Sequence, residues 1–281
     1  TKAENNGLES LRHSTSVVKA LDVNGDGAMD LFIGGRLIPF VYGVNASSFI
    51  LINDGQGNFK DATAELAPQL KEIGLVTDAA LVDYDGDGKD DLILVGEWMA
   101  PTFFKNTGKQ FEKIEMPEMQ AYKGWYRTIQ VGDFNNDGKP DFVLGNHGLN
   151  SRFKPTDQSA VRMFVNDFDQ NGSVEQIYTK QSGDRHIPYT LKHELEKQIP
   201  IVKKRYLKYS TYNKESLEDI FGAEALSNSV VQEFNFASSA VMMNKGAGKF
   251  EIQALPRKAQ RSWMFSALVT DVNGDGIQDI I

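Results

Sequence analysis

Cysteine is absent from the 281 residues, which excludes disulfides, thiolate metal sites and cysteine nucleophiles. No apolar run approaches the ~18 residues that a membrane-spanning helix needs. The chain is acidic, with a formal net charge of −8, and no lysine- or arginine-rich run suggests a nucleic-acid partner. Only four histidines are present. One of them, in His193-Glu194, lacks the second histidine four residues on that a zinc-protease helix requires, so a solvated helix face is the simpler reading. The chain opens on Thr1 with no signal-peptide pattern and closes at Ile281 inside an apolar run. Both ends are expected to be cuts within a longer protein.

What is present is a repeat. Five segments share acidic or amide residues at positions one, three, five and nine, with glycine at six. The first holds Asp22, Asn24, Asp26 and Asp30; the second Asp83, Asp85, Asp87 and Asp91; the third Asp133, Asn135, Asp137 and Asp141. The fourth holds Asp167, Asp169, Asn171 and Glu175, and the fifth Asp271, Asn273, Asp275 and Asp279. Oxygens so spaced on a tight turn converge on one point, as a hard Ca²⁺ with six to eight oxygen ligands demands. The glycine permits the bend. The carbonyl at position seven (Ala28, Lys89, Lys139, Ser173 or Ile277) is expected to add a ligand. An EF-hand begins alike but needs glutamate at twelve, where this chain has Ile33, Leu94, Leu144 and Tyr178. Ca²⁺, about one per loop, is therefore the expected cofactor, and five divalent ions would offset the acidity.

Strand-like runs precede the loops and follow most of them, as in Leu92 to Val95. A second element recurs: apolar alternation, an Asn/Gly turn at Asn53, Asn106 or Asn244, and a returning aromatic strand, which together make a β-hairpin. A loop-bearing strand pair plus a hairpin gives four strands, the blade of a β-propeller. The expected fold is all-β: residues 1–281 as part of one propeller, with four blades and a partial fifth. The fourth loop follows the third by only 34 residues, so it either opens a fourth blade or caps the outer hairpin of the third. The fourth-blade reading is favoured. From about 182 to 233 strand signals stop and helical ones appear, predicting a mainly helical insertion.

The pattern resembles the FG-GAP/VCBS repeats of integrin α-subunit propellers and of many bacterial surface proteins. Outside the loops, the stretches from Phe32 to Pro39, Val95 to Met99 and Gly145 to Arg152 look like ASPIC/UnbV-type VCBS proteins common in Bacteroidota. The resemblance implies an exported protein at the cell surface, outer-membrane-associated, with the periplasm as another compartment.

Because each loop joins the first and second strands of a blade, the far ends of those strands share the opposite face. That face is expected to collect Arg36, Glu97, Trp98, Trp125, Tyr126, Arg127, His147 and Trp263, including all three tryptophans. Flat aromatics beside charges suit a glycan or a neighbouring surface protein, within an outer-membrane complex for instance. The plainer alternative is that these tryptophans pack between blades. An enzyme reading, polysaccharide-active and lyase-like, would use Tyr126, Arg127 and His147, although no catalytic constellation stands out. A purely structural or assembly role is the third.

Overall fold

The structure is a computed structural model that describes residues 6–8, 11, 13–156 and 158–281. Strands β1 (Ser14–Leu21), β2 (Asp30–Leu37), β3 (Phe49–Asn53) and β4 (Phe59–Asp61) form a first antiparallel sheet in chain order. A short helix, α1 (Thr63–Leu66), leads to a second sheet of β5 (Leu75–Val82), β6 (Asp91–Met99), β7 (Thr102–Asn106) and β8 (Phe111–Ile114). The two-residue strand β9 (Gly124–Trp125) pairs with the end of β6. A third sheet starts with β10 (Thr128–Gly132) and β11 (Asp141–Gly145) and is then interrupted.

The interruption is a sheet of its own. Strands β12 (Val161–Asn166), β13 (Glu175–Ser182), β14 (Arg185–Pro188) and β15 (Val230–Phe234) associate in the order β14-β13-β12-β15. Between β14 and β15 lie α2 (Lys192–Gln198), α3 (Ile201–Arg205), α4 (Tyr209–Tyr212), α5 (Leu217–Phe221) and α6 (Ala223–Ser227). Helix α5 starts on a capping box in which Ser216 and Asp219 satisfy each other's backbone N–H. The chain then returns to the third sheet with β16 (Ala240–Gly246) and β17 (Lys249–Ala254), and β16 pairs directly with β11. A two-stranded sheet of β18 (Val269–Thr270) and β19 (Asp279–Ile280) follows.

The second sheet is sandwiched between the first and the third. Leu92 and Leu94 cluster with Phe32 and Ile50 of the first sheet, while Ile93 and Val95 cluster with Phe142 and Leu144 of the third. That is why β6 reads as an unbroken apolar run: a strand buried on both faces has no polar side to show. Strand pairs also approach too closely for side chains at two glycines. A Cβ on Gly96 would lie 2.2 Å from the Leu75 carbonyl oxygen, and one on Gly35 would lie 2.0 Å from that of Ser47. Among the described residues no helix is long and apolar enough to cross a membrane.

The all-β expectation holds, but the order of sheets differs from the one expected. The fourth loop neither opens a sheet in the series nor caps the third sheet; it joins the two central strands of the inserted sheet. The hairpin at Asn244, which the favoured fourth-blade reading would pair with the fourth loop, completes the third sheet instead. The series is thus three sheets, each a path of four strands (the second joined also by β9), and the pair β18–β19, with one further four-stranded sheet set between β11 and β16. The helical stretch is only part of that insert. Local pattern cannot reveal a hairpin separated from its own sheet by so much intervening chain.

Candidate metal loops and the buried aromatic face

All five loops close on the same backbone bonds. The first aspartate accepts the N–H of the glycine at position six: Gly27 to Asp22 Oδ2 (2.9 Å), Gly88 to Asp83 (2.7 Å), Gly138 to Asp133 (2.9 Å), Gly172 to Asp167 (2.8 Å) and Gly276 to Asp271 (2.9 Å). The residue at position five accepts from position seven, so Ala28, Lys89, Lys139, Ser173 and Ile277 occupy matching places. The acid at position nine accepts from position two: Asp30, Asp91, Asp141, Glu175 and Asp279 bind the N–H of Val23, Tyr84, Phe134, Phe168 and Val272.

In the three sheets of the series, the acid at nine has a second partner. Asp30, Asp91 and Asp141 each use Oδ1 to accept the backbone N–H of the hairpin asparagine: Asn53 (2.7 Å), Asn106 (2.8 Å) and Asn244 (2.7 Å). These carboxylates are fully buried. Each therefore ties the loop to the third strand of its own sheet, and the sharing of this bond by Asn244 marks it as the third loop's hairpin.

Three acidic oxygens come within 4.8 Å of one another in two loops, from Asp83, Asp85 and Asp91 and from Asp167, Asp169 and Glu175. Both triads occupy positions one, three and nine. In the first, third and fifth loops position three is Asn24, Asn135 or Asn273, whose amide oxygen would replace the middle carboxylate. Each triad offers only oxygen, so each can hold a hard cation.

The two triads differ in charge balance. Lys105 pairs with Asp85 and lies 3.1 Å from Asp87, and Lys89 lies 3.2 Å from Asp87. Even so, burial together with the charges of Asp85 and Asp87 pushes the Asp91 carboxyl up to about 6. The loop of the inserted sheet has no such lysine in an ion pair among the described residues. Burial, with Asp169 and Asp167 beside it, raises the Glu175 carboxyl. Asp169 Oδ1 is buried with no hydrogen-bond partner. An anionic oxygen withdrawn from water and left unpaired is costly unless a cation meets it.

The eight residues expected on the opposite face do come together, but mostly as core. Trp98, Trp125, Tyr126, His147 and Glu97 are all buried; the inserted sheet packs Met163, Val165 and Phe234 against Trp98 and Trp125, while Tyr126 lies in the core between the second and third sheets. Trp125 and Trp98 pack at 4.8 Å between ring centroids, and Phe234 of β15 lies 5.3 Å from Trp98. Gln232, also on β15, donates to the Gly43 carbonyl and to Asn45 Oδ1, fastening the insert to the first sheet's long loop. Trp98 holds φ at 64°, where a bulky residue seldom sits, at the irregularity where β6 meets β9. The packing alternative accounts for these aromatics.

Glu97 is the electrostatic centre of this region. Its side chain is fully buried and receives Arg36 Nη2 (2.8 Å), Arg127 Nη1 (2.5 Å) and the Tyr42 hydroxyl (2.6 Å). The Tyr42 oxygen in turn accepts Trp98 Nε1–H at 2.9 Å. Arg127 lies over the Trp263 ring at 4.7 Å. Tyr126 donates to the Tyr122 carbonyl, so its hydroxyl is committed to structure. His147 stacks on Trp125, and burial, with Arg127 and Lys154 nearby, holds its imidazole below the usual value.

Sequence reasoning did not single out Tyr42, Lys105 or Asn146. Asn146 is buried and joins Trp125 N, Phe236 O, Ser238 O and Ser239 Oγ through its side chain and backbone. One signal was available: counted from the acid at position nine, Asn146 stands where the first two sheets have Gly35 and Gly96.

Residues 22–94 and 83–144 match the family model of the FG-GAP-like repeat. The two matches run from the first loop into β11, so this stretch is similar to two overlapping FG-GAP-like repeats. No curated protein matches the chain.

Proposed function

We propose that the protein is a calcium-stabilised, β-propeller-like binding module that works outside the cell or at its surface and engages a neighbouring surface protein. One observation carries the calcium part: the loop of the inserted sheet converges three acid oxygens and leaves Asp169 Oδ1 buried without a partner. The same backbone geometry recurs in the other four loops, with asparagine serving at position three in three of them. Exposed calcium loops on extracellular modules fill at roughly 10⁻⁴–10⁻³ M, levels a resting cytosol does not reach, which supports the surface assignment. The nearer likeness to ASPIC/UnbV-type VCBS proteins agrees with it.

A protein partner is favoured over a glycan because Trp98 and Trp125, the aromatics best suited to stacking on a sugar ring, are spent on packing. For the same reason the lyase-like reading lacks support from Tyr126, which is buried and bonded to backbone.

Titrating calcium into chelator-stripped protein tests the proposal. Calorimetry should show several sites, and saturation at a hundredfold over Kd should stabilise the fold by about 2.7 kcal/mol for each such site. Asp169→Ala should remove one site from the count. A melt unchanged by excess chelator, with no heat of calcium binding, would sink the calcium part. Capture of a surface protein by the loaded form, lost on chelation, would test the rest.

A further inference from the structure

We propose that the outer face of α3, the turn after it and the start of α4 docks on an anionic lipid surface, a role separate from the metal loops. From 197 to 214 the chain carries six cationic residues and no acid, although the whole protein has a net charge of −8. Lys203, Lys204 and Lys208 are exposed, and none is in an ion pair or side-chain hydrogen bond among the described residues. Among them stand apolar side chains that nothing covers: Leu207 is 87% exposed and Ile201 60% exposed.

The segment is built to hold these groups outward. Leu195, Ile199, Val202, Tyr206 and Tyr212 are buried in a core with Phe164 and Ile177 of the inserted sheet. Arg205 donates to the carbonyls of Ile220 and Asp219, pinning α3 against α5. The exposed residues are therefore the remainder of a fixed scaffold, not the flank of a loose one.

The choice of a bilayer over an acidic protein follows from shape and residue type. Protein hot spots favour Trp, Tyr and Arg seated in pockets, whereas here leucine and isoleucine protrude, ringed by lysine. Ammonium groups at the headgroup level with apolar side chains just below them describe an interfacial attachment. The acidic remainder of the molecule would be repelled by the same surface and would point away from it.

Sedimentation of the full chain with vesicles tests this, at constant calcium so that ion bridging does not vary. Vesicles of phosphatidylcholine with about a quarter phosphatidylglycerol should bind it, pure phosphatidylcholine should not, and added salt should release it. Substituting Lys203, Lys204 and Lys208 together by glutamine should lower the partition at least about tenfold. Leu207→Ser should lower it several-fold with the charge unchanged. All four positions are exposed, so both variants should melt within about a degree of the wild type. Three results would overturn the inference: equal binding to neutral vesicles, a triple variant that binds as the wild type does, or a Leu207→Ser variant unchanged on vesicles. Displacement by polyglutamate with no vesicle binding would assign the surface to an acidic polypeptide instead.

Discussion

The loop side and the opposite side of the sheets are built by different logics. On the loop side the same nine-residue turn appears five times, mostly exposed, closed each time by bonds between residues at most seven positions apart. On the opposite side nothing repeats. Glu97, Tyr42 and Arg127 come from distant parts of the chain and meet through the ion pair and hydrogen bond at Glu97, and Phe234 of the inserted sheet packs on Trp98 beside them. A local turn can be changed with local consequences, but a buried junction between sheets cannot.

The largest expected effect is therefore on the buried side. Trp125→Ala should cost about 3–5 kcal/mol, as removal of a large buried aromatic does. Chemical denaturation would measure it. A variant that keeps wild-type stability would mean that the inserted sheet does not rest on this ring, and the contrast between the two sides would fail. Glu97→Gln should follow at about 3 kcal/mol, because it leaves Arg36 and Arg127 facing a neutral group in a buried place. Adding Arg36→Met to Glu97→Gln should recover part of the loss, and the double-mutant cycle gives the coupling directly.

How much could be read from the chain follows the same division. The loops, the turn bonds at their repeated positions and the hairpins were legible because each is a short segment whose residue types are dictated by one turn geometry. The continuous run Leu92-Ile93-Leu94-Val95 also marked a strand, which the structure buries on both faces. The insert was legible only as an interruption. Nothing near Asn244 says that its partner is Asp141, since the bond that joins them crosses the entire inserted sheet in sequence. The burial of Trp98 and Trp125 was equally hidden: topology placed them on one rim, but whether a rim is open depends on what folds over it. The cationic stretch from 197 to 214 was read only as part of a helical insertion, and it gained meaning only once its apolar members proved exposed.

A pH measurement sharpens the comparison at smaller amplitude. His147 is buried against Trp125 with its imidazole held below the usual value by desolvation, then by Arg127 and Lys154. As the pH falls through about 6.5, the unfolded chain takes up this proton before the folded one does. Stability present at neutral pH should therefore be lost progressively below about 6.5. His147→Gln should flatten that part of the pH profile while leaving the calcium response intact. If instead the slope between neutral and mildly acidic pH is unchanged in the variant, the histidine is not the group responsible.

The smallest effect belongs to the loop side and separates its two acid triads. Lys105 bridges Asp85 and Asp87 in the second loop, and these contacts raise its own affinity for a proton. An ammonium so placed partly does the work of a metal ion, and an incoming cation must displace it or share its carboxylates. Among the described residues the Asp167, Asp169 and Glu175 triad has no such internal cation. Lys105→Met should therefore raise the calcium affinity of the second loop by a few-fold and make the metal-free protein less stable, since Asp83, Asp85, Asp87 and Asp91 would then repel one another with only Lys89 left to oppose them. The loop of the inserted sheet, far away in the fold, should bind as before. Calcium titration of the variant against an Asp169→Ala background isolates the change from that loop. A fall in affinity would instead make Lys105 a supporting group that orients Asp85 for the ion, and the lysine would have to be counted with the ligands and not against them.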